Sequence, residues 1–279
     1  MADPLKAILT APPPVAVELS GFDVVPRADD VLPTTAMSRL QGARMLAVAL
    51  AATSFWTPIL LVRHPRDPRP QTFQKWSGKW ARSILSACGI GLDLRDEAHV
   101  ALDQPVVYVA NHQSAVDILI TAGGMPQPFG FVAKEELRTT PLVGAAIAHS
   151  PSVFVDKRDP RSAVRSIKEA GARIAGGASV LVFPEGKRTY SGGLAAFQRG
   201  AFMLALEAQV PIVPVAIHGS YRVFDERRMT MKPGRVGLHL MPQIPTEGLT
   251  KRDLADLMTR VRSDLDRSLS TYESEISKS

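Results

Sequence analysis

One cysteine, Cys88, is the only thiol in the chain. A lone thiol closes no internal disulfide, so a reducing compartment is the expectation. Cys88 sits in the apolar run SILSACGIGL, where a small packed hydrophobe is the expected reading. No Cys/His spacing resembles a zinc site, and no metal is expected. No G-x-S-x-G elbow is present, which argues against a serine hydrolase. Aromatics are scarce at 6%, so the core has to be mainly aliphatic. No aromatic strand signature or recognition-helix motif for nucleic acid appears, and no internal repeat.

What is there suits one sizeable core: 279 residues, 45% of them hydrophobic and 22% charged. The balance is basic, 33 Lys+Arg against 27 Asp+Glu, with a pI near 9.6. Such a surface attracts nucleic acid, anionic membrane and phosphorylated small molecules alike, so charge alone selects no partner.

Three stretches differ in composition. Residues 1–35, with Pro12-Pro13-Pro14 and scattered acids, carry no sustained period and read as a mobile tail. Residues 36–95 hold the uncharged run MLAVALAATSFWTPILLV from Met45 to Val62, at the lower limit of a bilayer span. It lies too deep in the chain for a secretory signal. After it come Arg63, Arg66, Arg69, Lys75, Lys79 and Arg82, opposed only by Asp67, with Trp76 and Trp80 four apart among them. Trp with Lys/Arg marks a membrane–water interface. The expectation is a membrane-associating helical hairpin, monotopic or a single span, with its basic flank on the cytoplasmic side; a buried helix followed by a solvated one is the plain alternative.

Residues 96–279 alternate short β-branched runs with helical segments. Strands are predicted at 106–109, 130–132, 153–155, 180–183, 212–217 and 236–240, with helices at 116–123, 135–148, 161–175 and 195–208. The fold class is therefore α/β, a mostly parallel or mixed sheet flanked by helices. Thr250 and Asp253 have capping-box spacing, and Leu254, Leu257, Met258, Val261 and Leu265 then form one apolar stripe.

Two strand ends carry chemistry. Asn111-His112-Gln113-Ser114-Ala115-Val116-Asp117 follows PVVYVA. On a regular helix a five-residue spacing puts side chains about 140° apart. His112 and Asp117 meet only if the histidine lies in the turn and the aspartate in the helix after it. A carboxylate on one imidazole nitrogen leaves the other free as a base. The plain alternative is a helix cap with an incidental histidine. Phe183-Pro184-Glu185-Gly186-Lys187-Arg188-Thr189 closes another strand: Pro-Glu-Gly gives a tight turn, and Lys187, Arg188 and Thr189 offer donors suited to phosphate.

Together these segments resemble the glycerolipid acyltransferase family, in particular its bacterial 1-acylglycerol-3-phosphate acyltransferases. NHQSAVD fits the family's NHxxxxD (HX4D) motif, FPEGKRT its FPEGTRS motif, and VPIVPVAI, from Val210 to Ile217, its apolar fourth motif. AKEELRTTPLVG and Val153-Phe154-Val155-Asp156-Lys157 fit the segments between, in the family's order over about residues 70–245. Three positions depart from the pattern. Lys157, followed by Arg158, stands for the second motif's arginine. Tyr190 replaces a basic residue, and in Phe197-Gln198-Arg199-Gly200 the cation has moved by one.

The resemblance implies transfer of a fatty acyl group from acyl-CoA or acyl carrier protein, as donor substrate and without a cofactor, to the hydroxyl of 1-acylglycerol 3-phosphate. Phosphatidic acid for phospholipid synthesis would form at the cytoplasmic face of the cell's inner membrane. It implies His112 as base, Asp117 as its orienting partner, and Asn111, Lys157, Arg158, Glu185, Gly186, Arg188 and Thr189 as acceptor-binding residues. Partners would be the membrane, the lysophospholipid and the acyl donor, with no nucleic acid. Rival readings are acylation of glycerol 3-phosphate or a lyso-aminolipid, thioester hydrolysis by water at His112, and a non-catalytic basic membrane-binding module.

Overall fold

The structure, a computed structural model, describes residues 35–64, 69–101, 103–156 and 160–276. The tail expected at 1–35 lies almost wholly outside these residues, as do Arg66, Asp67, Lys157 and Arg158.

Two helices open the described chain. α1 (Ala36–Arg63) starts on a capping box in which Thr35 accepts from Ser38, and α2 (Pro70–Ala87) starts on Pro70 at its first position. They pack antiparallel. Trp80 Nε1 donates to Thr53 Oγ1 at 2.9 Å, Trp56 Nε1 to Ser83 Oγ at 3.1 Å, and Arg44 to Ala87 O at 2.6 Å. α1 is long and apolar enough to cross a membrane, with a mean hydropathy of 2.0. Met37, Leu40, Leu46, Leu50, Phe55 and Val62 are exposed along it. Trp76 and Trp80 turn inward and line a cavity, while Lys75 and Lys79 cover the ring face of Trp76 at 5.8 and 4.9 Å. Arg82, one of the basic flank, donates to Gly123 O at 2.7 Å and fastens α2 to the α/β part.

The sheet has seven strands. β1 (Ile90–Asp96) is followed by β2 (Val107–Ala110), α3 (Asp117–Gly124), β3 (Phe129–Lys134), α4 (Val143–Ala148), β4 (Val153–Val155) and α5 (Pro160–Ala175). Then come β5 (Ser179–Val182), α6 (Gly200–Ala208), β6 (Ile212–His218), the single turn α7 (Ser220–Val223), and the small hairpin β7 (Phe224–Asp225) and β8 (Thr230–Met231). β9 (Gly234–Leu240) and α8 (Leu254–Ile276) close the order. The sheet runs β1-β9-β6-β2-β5-β3-β4. The five strands from β6 to β4 are parallel; β9 is antiparallel to β6, and β1 parallel to β9. This is the α/β class expected, with a mixed edge.

Three details depart from the expected elements. The sheet begins inside the segment assigned to the hairpin, because β1 is an edge strand whose mostly half-exposed IGLDLRD gives no clean alternation. The helix expected at 135–148 breaks into a 3₁₀ turn (Glu135–Thr139) and α4, at Pro141 and at Leu142, whose φ is +63°. The helix expected from 195 begins at Gly200.

Alternation along β2 divides the core. Tyr108 and Ala110 face the side covered by α2 and α3, with Ile84, Ile120, Val215 and Leu238. Val107 and Val109 face the side covered by α6 and α8, with Phe202, Ile212, Val261 and Leu265. Each fully buried aliphatic side chain contributes roughly 1.5–3 kcal/mol. Of the expected α8 stripe, Leu254, Leu257, Val261 and Leu265 are buried and Met258 is half-buried, and Leu269 extends it. Cys88 is buried in the core, which pushes its thiol pKa up.

Candidate active site

The site lies where α/β sheets place ligands, outside the carboxyl ends of the central parallel strands. His112 sits in the turn after β2, and Asp117 is the first residue of α3. His112 Nδ1 and Asp117 Oδ2 are 2.7 Å apart. The same oxygen accepts the backbone N–H groups of Gln113 at 2.7 Å and Ser114 at 3.0 Å. Asp117 is fully buried, whereas the His112 side chain stays 12% exposed. Phe183 stacks on the imidazole at 4.1 Å between ring centres. With the Nδ1 proton donated to Asp117, Nε2 is the acceptor nitrogen.

The turn after β5 is laced to the turn after β2. Glu185 Oε1 accepts from His112 N at 2.7 Å, and Oε2 from Ala195 N at 2.6 Å. Thr189 N and Tyr190 N donate to the carbonyls of His112 and Gln113, at 2.9 and 3.1 Å. Gly186 is left-handed at φ +67°, a conformation glycine adopts without strain, and it makes the turn between these contacts. Burial pushes Glu185 up to about 7; its two backbone hydrogen bonds pull the other way and the Asp117 charge adds to the rise.

A cavity of about 1150 Å³ opens beside these turns and runs between the helical pair and the sheet. His112, Gly186, Lys187 and Arg188 line its polar end; Trp56, Trp76, Phe131, Leu137 and Leu204 are among its apolar walls. His112, with Asp117 buried behind it, and Arg188 are thus brought to one space. Asn111 is not. It is fully buried, its amide donates to Ile217 O at 2.9 Å and accepts from Ile217 N at 2.7 Å, and it joins β2 to β6 instead of facing an acceptor. Glu185 lines the cavity, but both its oxygens are spent on backbone N–H groups, so it shapes the turn. Thr189 is bonded to the His112 carbonyl and does not line the cavity. Two site neighbours are not singled out by the sequence: Phe183 reads as a strand end and a motif residue without a role, and Glu226, bonded to Arg188 at 2.7 Å, lies in the charged run DERR.

The N–H groups of His112, Gln113, Ser114, Thr189 and Tyr190 all have protein acceptors. An oxyanion at this site therefore draws on other donors. Among the described residues, no group of three His, Cys, Asp or Glu side chains is arranged to hold a metal.

A histidine held by a buried carboxylate, with no serine or cysteine hydrogen-bonded to its ring among the described residues and an apolar cavity at its side, defines a general-base site for a substrate that brings its own nucleophile. The chain matches the model of the Acyltransferase family over residues 91–218. It is 38% identical over 181 residues to human 1-acyl-sn-glycerol-3-phosphate acyltransferase alpha, covering 63% of each protein. It is 33% identical over 192 residues to a chloroplastic 1-acyl-sn-glycerol-3-phosphate acyltransferase of Arabidopsis thaliana, covering 67% of this chain and 53% of that one. The chain thus matches less than two thirds of the length of these curated relatives. Its fold is similar to the crystal structure of the 1-acyl-sn-glycerophosphate (LPA) acyltransferase PlsC from Thermotoga maritima. There the TM-score is 0.76 at 26% identity, over 86% of this chain and 98% of the other.

Proposed function

We propose that the chain is an O-acyltransferase that moves a fatty acyl group from a thioester donor, acyl-CoA or acyl carrier protein, to the hydroxyl of 1-acylglycerol 3-phosphate, forming phosphatidic acid. One observation carries the reading: His112, held from behind by the buried Asp117, and Arg188 line the same large, mostly apolar cavity. The names of the relatives support the choice of acceptor.

In this reading His112 Nε2 takes the acceptor hydroxyl's proton as its oxygen attacks the thioester carbonyl. Asp117 stabilises the imidazolium so formed. The tetrahedral intermediate then collapses with loss of the C–S bond, and the imidazolium returns the proton to the thiolate. No acyl-enzyme is required, and the chemistry needs no cofactor. Arg188 holds the phosphate, and Lys157 or Arg158 adds to that charge. Holding hydroxyl and thioester together can supply roughly 7–11 kcal/mol of the barrier. The apolar exposed side of α1 attaches the protein to the membrane that holds the lysophospholipid acceptor, with the catalytic part on the cytoplasmic face.

The direct test is thioester-dependent formation of phosphatidic acid by the purified protein on mixed micelles, with His112→Ala as the comparison. The variant should fold normally and lose transfer by at least about a thousandfold. Near-normal turnover by it would defeat the mechanism. Release of free fatty acid without acceptor would indicate a hydrolase instead.

A further inference from the structure

Arg188 shares the cavity with His112, and its guanidinium is engaged. Nη1 donates to Glu226 Oε1 at 2.7 Å, with the arginine side chain 36% exposed and the glutamate 18%. Glu226 comes from the turn between β7 and β8, and that hairpin is fixed on several sides. Ser114 Oγ donates to Phe224 O at 2.8 Å, and Ala115 N reaches Glu226 Oε2 at 3.4 Å. Arg227 is clasped by Asp225 at 2.9 and 3.1 Å and lies over the Tyr190 ring at 3.8 Å. On the far side Met229 O abuts α1 so closely at Gly42 that a β-carbon there would stand 2.0 Å from it. The glutamate is presented to Arg188 by a supported turn and is not a loose surface side chain.

A phosphate head at Arg188 meets the charge of that carboxylate and competes with it for the guanidinium. Phosphate can prevail because it can take two guanidinium N–H groups at once, whereas Glu226 meets Nη1 through Oε1 and turns Oε2 toward Ala115 N. We infer that Glu226 is an internal competitor for the acceptor phosphate, a specificity-determining residue that acts through Arg188 and sets how tightly phosphate-bearing lipids are held. The product carries the same phosphate as the acceptor. A guanidinium with a carboxylate waiting beside it releases that product more readily than an unopposed one. The inference rests on the proposed reading for its substrate, but the competition itself concerns only Arg188, Glu226 and phosphate.

The experiment compares Glu226→Gln with the parent chain. The substitution keeps shape and removes charge. For a partly exposed pair, the apparent KM for 1-acylglycerol 3-phosphate should fall about three- to fivefold. Competitive inhibition by inorganic phosphate should strengthen by the same factor, while the KM for an uncharged monoacylglycerol stays put. In an Arg188→Ala background the substitution should leave phosphate inhibition unchanged, a coupling that a purely structural role would not give. A KM that stays or rises in Glu226→Gln would overturn the inference and make Glu226 a support for Arg188. Calorimetric binding of inorganic phosphate needs no turnover. A parent chain that acylates nothing would therefore defeat the proposed function while the phosphate comparison still tested Glu226.

Discussion

Asp117→Asn separates the two tasks that one buried oxygen performs. Asp117 Oδ2 accepts from the His112 ring and from the N–H groups of Gln113 and Ser114, and the side chain has no solvent contact. An asparagine oxygen can take all three hydrogen bonds, so the turn should keep its shape. What it lacks is the negative charge opposite an imidazolium. Unit charges about 4 Å apart in an effective dielectric near 20 attract by about 4 kcal/mol. Loss of that attraction from the transition state slows acyl transfer about a thousandfold. Stability should change by no more than about 1–2 kcal/mol, because weaker hydrogen bonds are offset by relief from a buried charge. Thiol release followed continuously gives kcat, and thermal melting gives the fold. A loss under about tenfold with the fold intact would refute the argument that the carboxylate stabilises a charged ring.

Two further predictions concern stability. His218 is buried against Tyr272 and His239, and burial, reinforced by His239, lowers its pKa to about 4 from the ordinary 6.5. The unfolded chain takes up this proton below about pH 6.5 while the folded chain resists it, so the stabilisation is complete above 6.5 and is lost as pH falls toward 4. The gap corresponds to about 3 kcal/mol, and from pH 7 to 4 the parent should lose about that much more stability in denaturant melts than His218→Phe, a comparison from which the opposite contribution of Glu185 cancels; equal slopes in the two proteins would count against it. Gly42→Val drives a side chain into the Met229 carbonyl; overpacking of this kind should lower stability by about 1–3 kcal/mol and weaken acceptor use with it, and a variant that melts like the parent would show that α1 does not seat the hairpin.

The central α/β alternation was legible because buried parallel strands are short β-branched runs, and β2, β4, β5, β6 and β9 fall within a residue or two of the runs that predict them. β1 was not, since an edge strand with one wet side need not be apolar. The hairpin of β7 and β8 has two residues per strand and a turn of charges, too short for any period. Its importance lies wholly in tertiary contacts, with Ser114, Arg188 and Tyr190 at one end and α1 at the other. The direction of Trp76 and Trp80 was likewise hidden, because a tryptophan beside lysines has the same sequence signature at a lipid interface and on a cavity wall.

The same limit explains Asn111 and Glu185, which the motifs marked for the acceptor. Each has a side chain that can end on a ligand or on a backbone amide, and residue type does not distinguish the two. The hydrogen bonds do: Asn111 completes the pairing of β2 with β6, and Glu185 ties the His112 turn to Ala195. The five-residue spacing between His112 and Asp117 acquires its reason from the same accounting. α3 begins only at Asp117. A carboxylate at that first helical position reaches back over the turn, gathers two of its N–H groups on one oxygen, and has the imidazole as the third donor. One residue fewer would remove an amide from the turn, and one more would carry the carboxylate about 100° round the helix. The histidine is therefore oriented by the same contact that shapes its loop.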